Sequence, residues 1–191
     1  MPTPDERRRL EAVVRASPIL RPLLDRWAEL ALPDCWLAAG AVAQSVWNAA
    51  LGLPPDHGLA DVDLVYFDRT DLTEEGEAQA ARRVQRAFAS LPLRMDVKNE
   101  ARVHLWYEAR FGYPIEPYAS VADAIATFPT TATAVGVRPA AAGLELCAPF
   151  GLDDLLGLVV RPNKTQITRA IYEAKLARWR RLWPELIVVE W

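Results

Sequence analysis

Cysteine and histidine are scarce in this chain of 191 residues, with two of each. Cys35 and Cys147 lie in the apolar runs CWLAA and LELCAP and read as small buried hydrophobes. No C-x-x-C pair and no Cys/His cluster is present, which argues against a zinc site and a secreted disulfide scaffold. No apolar run nears the roughly 18 residues that cross a bilayer. The opening MPTPDERRRLEAVV lacks the apolar stretch of a secretory signal, so the expectation is a cytoplasmic protein with no membrane partner. Neither sign of charge dominates. A net charge of −3 and a pI near 5.5 argue against a general nucleic-acid binder. Internal repeats and low-complexity tracts are also missing.

What remains is an ordinary globular composition with 15 prolines, placed mostly where elements should end. The length suits one domain over 1–191, with a core at about 34–110 and a helical and hairpin part at about 115–191. Helices are expected over about 5–16 and from Ser17-Pro18 to about Leu30, where Leu20, Leu23, Leu24, Trp27 and Leu30 make an apolar stripe. Cys35 to Ala39 reads as a buried strand. Gly40 then leads into the helix AVAQSVWNAAL. Asp61 to Phe67 and Leu93 to Lys98 alternate as strands do. Between them runs an amphipathic helix ending near Ser90. Further helices are expected over 101–111, 120–126, 151–160 and 166–182, with two short strands at 132–138 and 144–148. Strands and helices in this order imply an α/β (α+β) fold, a mixed sheet flanked by helices.

The chemistry centres on DVDLVYFD. Side chains at i and i+2 of a strand point the same way, so Asp61 and Asp63 project together while Val62 and Leu64 face the other side. Two carboxylates held side by side repel unless a cation separates them. Magnesium or manganese suits such oxygen ligands and leaves positions for substrate phosphates. Asp96, on the next expected strand, can join the pair as ligand or general base. Three carboxylates can hold two ions about 4 Å apart. The strand–glycine–helix passage WLAAGAVAQSVWN precedes this strand. Its Gly40 and Ala41 amides open a helix N-terminus that favours phosphate, and Gln44 and Ser45 can add donors. Lys98 and Arg102 flank the next strand-to-helix turn as candidate phosphate ligands. Lys164 and Lys175 belong to a basic tail in which seven basic residues and one acid, Glu173, lie between Arg161 and Arg181, and a tail folded over the site would let either hold the β- and γ-phosphates.

A glycine at a helix start, D-x-D on a strand and an aspartate on a later strand together resemble the polymerase-β-type nucleotidyltransferase superfamily. The run A-G-A-V-A-Q at 39–44 is similar to the G-G-x-V-R-D turn of its transfer-RNA branch, with Ala39, Ala43 and Gln44 where Gly, Arg and Asp would stand. A bacterial nucleotidyltransferase-like family, long described as a domain of unknown function, is closer. The segments that carry the likeness are GAVAQSVWN, DVDLVYFD, MDVKNEARVHLWY, TATAVGVR, APFGLDDL and RPNK. The resemblance implies magnesium-dependent transfer of a nucleoside monophosphate from a nucleoside triphosphate to an acceptor hydroxyl on a small molecule, protein or RNA, with release of pyrophosphate. Two alternatives stay open from the residues: a nucleotide-binding or regulatory module that has lost turnover, and a phosphohydrolase using the same carboxylates on water.

Overall fold

Thr3 opens the first helix, α1 (Pro4–Ala16). Its hydroxyl accepts from the Glu6 amide while the Glu6 carboxylate accepts from the Thr3 amide, a reciprocal cap. In the computed structural model, which describes residues 1–191, α2 (Arg21–Asp25) follows. A 3-10 turn over Trp27–Leu30 comes next. The continuous helix expected here is therefore broken at Arg26, whose ψ of 30° leaves the helical range. Its apolar stripe still reaches the core, with Leu20, Leu23, Leu24 and Leu30 buried.

The central elements are β1 (Trp36–Ala38), α3 (Ala39–Leu51), β2 (Asp61–Tyr66), α4 (Glu74–Ala87) and β3 (Arg94–Asn99). A 3-10 turn at Glu100–Arg102 leads into α5 (His104–Phe111), and α6 (Val121–Ile125) follows. A hairpin of β4 (Gly136–Ala140) and β5 (Gly143–Cys147) completes a five-stranded sheet of order β3-β2-β1-β4-β5. The sheet is mixed. β2 and β3 run parallel, while β1 is antiparallel to both β2 and β4. The parallel pair needs the crossover that α4 supplies.

The expected helix at 151–160 shrinks to α7 (Asp153–Leu156). Leu158 turns the chain at φ 59°, and Val159–Val160 becomes β6, parallel to β7 (Ile187–Val188). Two β-branched valines favour a strand once a partner exists, and that partner lies near the end of the chain. The last helix, α8 (Arg169–Leu182), starts at Thr168, whose hydroxyl accepts from the Ile171 amide.

One apolar core joins α1, α3, α8 and one face of the sheet. α8 is pinned to α3 by aromatic contacts: the Trp47 ring lies 5.4 Å from both Trp179 and Trp183, edge to face in each case. Such pairs add to the burial of their area. The indole of Trp183 donates to Asn48 Oδ1 at 2.7 Å, and Asn48 Nδ2 donates to the His57 carbonyl at 2.9 Å. Gly58 lies under the same indole with φ +69°, and a Cβ there would stand 2.4 Å from the ring. Gly58→Ala therefore combines left-handed strain with overpacking and should lower the unfolding free energy by about 3 kcal/mol. Urea denaturation measures this, and a loss below about 0.5 kcal/mol would contradict the described docking of α8.

Candidate functional site

Strand alternation divides the site from the core. Val62 and Leu64 of β2 and Met95 and Val97 of β3 are buried in the main core. The opposite face carries Asp61 and Asp63 on β2, and Arg94, Asp96 and Lys98 on β3. The parallel register sets Asp61 beside Arg94 and Asp63 beside Asp96. Opposite charges therefore neighbour each other at one step and like charges at the next, an arrangement that destabilises the bare sheet.

The cations distribute unevenly. Arg94 Nη2 lies 2.8 Å from Asp61 and 3.8 Å from Asp96, and Lys98 Nζ lies 3.5 Å from Asp96. These pairs are partly solvated and each contributes about 1 kcal/mol or less. Asp63 has no ion pair of this kind. Its Oδ2 accepts from the Gly40 amide at 3.1 Å. Ala38 gives α3 no side-chain cap, so the Asp63 carboxylate serves the open amides of that helix. Burial above all, then the charges of Asp61 and Asp96, push its carboxyl up to about 7, against the pull of Lys175 and the Ala41 amide.

The turn that delivers these amides is tight. A Cβ on Gly40 would meet Gln44 Nε2 at 3.0 Å and Asp63 Oδ2 at 3.3 Å. Ala39 sits at φ 53°, a left-handed conformation that a residue with a Cβ holds only under constraint. Gly40, Gln44, Asp61, Asp63 and Asp96 line a cleft of about 420 Å³, and α8 closes it from above with Lys175 and Arg178. Desolvation where its ammonium meets the cleft holds Lys175 below the usual lysine range, helped by Arg178 and opposed by Asp63 and Asp61, while the residue as a whole stays exposed. The Arg178 guanidinium donates to the Gly58 carbonyl, which anchors it. Arg178, like Arg94, is a site residue that sequence reasoning passed over. The basic run was visible, but which of its members turns inward depends on the tryptophan docking.

Other expected residues stand elsewhere. Ser45 is buried and its hydroxyl donates to the Ala41 carbonyl at 2.8 Å. It borders an apolar cavity shared with α1, so it does not serve phosphates. Arg102 is also buried. It pairs with Glu77 at 2.9 Å and donates to the Leu72 carbonyl. Glu77 in turn accepts from the Asn99 amide, so Arg102 clamps the end of β3 to α4 rather than facing the cleft. Lys164 lies over the Trp191 ring at 5.1 Å and does not line the carboxylate cleft. Lys98 stays close to Asp96. The three aspartates are neighbours, but no three acidic, cysteine or histidine side chains stand together as a ready metal cluster. Arg94, between Asp61 and Asp96, occupies the position of a counter-cation.

The sequence profile of a family described as Nucleotidyltransferase matches residues 25–188. The chain belongs to this nucleotidyltransferase family. No curated protein matches it significantly. Among solved structures, it is similar to a protein whose NMR structure reveals a CCA-adding enzyme head domain. The two are 27% identical, 95% of each chain is covered, and the TM-score is 0.78. It shares its fold with the Thermotoga maritima CCA-adding enzyme complexed with tRNA, at 16% identity and TM-score 0.56, covering 96% of this chain and 42% of that one. The mixed sheet and its helices are thus those of a polymerase-β-type nucleotidyltransferase head.

Burial also raises Glu100, to about 8, with the charge of Glu77 adding to it. A carboxyl that binds its proton more tightly folded than unfolded contributes stability below its unfolded pKa, and that contribution is lost as pH rises through the folded value. The chain should therefore lose stability between about pH 4 and pH 8 in metal-free buffer. Asp63→Asn should remove the part of the decline up to about pH 7, on the order of 2 kcal/mol. Denaturant midpoints across this range test the sign, and a stability that climbs with pH in both proteins would refute it.

Proposed function

We propose that the cleft between β2, β3 and α8 moves a nucleoside monophosphate from a nucleoside triphosphate to an acceptor hydroxyl. The observation that carries this reading is the set of Asp61, Asp63 and Asp96 on one sheet face, with Asp63 capping the start of α3 and Lys175 and Arg178 above. The donor chemistry fits a divalent cation: hard oxygens held together by the strands, with Asp63 left without an ion pair. Asp61 and Asp63, joined by Asp96, would hold magnesium or manganese. When bound, the ion supplies neutralisation of the triphosphate charge.

The residues of the chain divide the remaining work. The Gly40 and Ala41 amides hold Asp63 in place, so at this turn they reach the triphosphate only where it displaces that carboxylate, and Gln44 adds a side-chain donor. Lys175, from an exposed position at the cleft mouth, and Arg178, anchored on the Gly58 carbonyl, hold its outer phosphates. Asp96 accepts the acceptor's proton as its oxygen bonds to the α-phosphorus. The bond from that phosphorus to the oxygen bridging the β-phosphate breaks, and pyrophosphate leaves with the electron pair. One solved neighbour reveals a CCA-adding enzyme head domain and another is a CCA-adding enzyme complexed with tRNA, which makes an RNA 3′ hydroxyl the first acceptor to try.

A second reading, a binding module without turnover, draws on Arg94, whose guanidinium stands where a cation would. One assay separates the two. Each labelled nucleoside triphosphate is incubated with magnesium and either transfer RNA or a cell extract, and label transfer and pyrophosphate are followed. Transfer is expected, and the Asp61→Asn/Asp63→Asn protein should lose it by about 100-fold or more. Tight nucleotide binding independent of metal, with no transfer to any acceptor, would establish the module instead. Arg94→Gln frees Asp61 and should tighten magnesium binding about tenfold, read by calorimetry. Weaker binding would show that Arg94 supports the site rather than competing for it.

A further inference from the structure

A second cleft of about 410 Å³ adjoins the first, and Pro129 and Lys175 line both. Its walls include Trp106, Tyr107, Tyr118 and Phe128. The two tyrosines are held by their hydroxyls. Tyr107 meets Tyr113 at 3.2 Å, and Tyr118 donates to Gln166 Oε1 at 2.9 Å. The ring faces are thus fixed before any ligand arrives.

Glu100 reaches the same cleft from the turn that ends β3. It is 5% exposed. Burial and neighbouring charges alone act on its carboxyl, and no protein group donates a hydrogen bond to it. Its backbone is held in place by Asn99, whose side chain accepts from the Ala101 amide at 3.1 Å. Its oxygens keep contact with the cleft and have no protein donor; a carboxyl so little solvated is unfavourable, and a ligand that brings hydrogen-bond donors relieves it. Lys98, Arg110 and Lys175 stand around the same cleft. Three cations disfavour an ammonium ligand and suit one that carries phosphate.

A flat apolar slot, one buried hydrogen-bonding group and a cationic surround describe the needs of a nucleotide ring. We infer that this second cleft takes a nucleobase, stacked among Trp106, Tyr107 and Tyr118, with Glu100 hydrogen-bonding its edge and Lys98 and Lys175 toward its phosphate. The inference rests on the transfer reading, because the cleft opens onto the carboxylates. A carboxyl held up at about 8 keeps its proton at neutral pH, so it both donates and accepts, which suits the paired donor and acceptor of a base edge. The ring belongs either to the incoming triphosphate or to the terminal nucleoside of an acceptor.

Calorimetry on the full chain with magnesium tests this. The probes are inorganic tripolyphosphate, the four nucleoside triphosphates and the four nucleoside 5′-monophosphates. The last set is added to protein already saturated with tripolyphosphate. One base is expected to bind about tenfold or more tightly than the others. Glu100→Gln, which keeps the shape but fixes the donor and acceptor atoms, should remove most of that preference. Trp106→Ala should weaken every base about tenfold. Tripolyphosphate should bind wild type and both variants alike. A preference among triphosphates assigns the ring to the incoming nucleotide, and one seen only among the monophosphates assigns it to the acceptor. Base affinities and preferences unchanged in both variants, with tripolyphosphate still bound, would overturn the pocket and leave the transfer reading intact. Wild type that binds no tripolyphosphate in magnesium would overturn the transfer reading and, with it, this assignment.

Discussion

The contact between Asp63 and the start of α3 is the constraint on which the site depends. A strand residue on β2 accepts from the Gly40 amide across the sheet, and this fixes the turn between β1 and α3 relative to the acidic strand. The helix offers no cap of its own, so the carboxylate completes it. The same carboxylate is pushed toward its neutral form, by burial first and then by the charges of Asp61 and Asp96. Its structural and chemical positions therefore oppose each other. Capping favours the charged carboxylate, while burial beside two other acids penalises it. Burial and the two neighbouring acids outweigh the cap, and a cation would reverse the balance.

The second constraint is the docking of α8. Trp47, Trp179 and Trp183 bury a large apolar area, far outweighing the solvated ion pairs along the same helix. This packing turns Lys175 and Arg178 inward and leaves Arg180 to pair with Glu190 at the surface. The position of basic charge over the cleft is thus set by hydrophobic packing on the other side of the helix. Neither cation needs an ion pair with an aspartate to be held there.

Much of this was legible in the chain. Period-two alternation revealed β2 and β3 and separated Val62 and Leu64 from the aspartates. The Gly40 turn was visible as a strand–glycine–helix passage. Ser45 and Arg102 were misplaced because a sequence gives the position of a polar residue but not its partner. Ser45 bonds to the backbone of its own helix, and Arg102 finds a glutamate one element away. Helix 151–160 failed for a related reason, since the pairing of Val159–Val160 with Ile187–Val188 is non-local. Arg94 was passed over because its role follows from parallel register alone, which places it beside Asp61 although it stays largely exposed.

The central claim is that Asp63 is held at the helix start as a carboxylate awaiting a cation. Titration of the labelled Asp63 carboxyl carbon by nuclear magnetic resonance, with and without magnesium, tests it most directly. The account predicts a midpoint near 7 in metal-free solution and a fall of at least about two pH units when magnesium is added. A midpoint near 4 without metal, unmoved by magnesium, would contradict it.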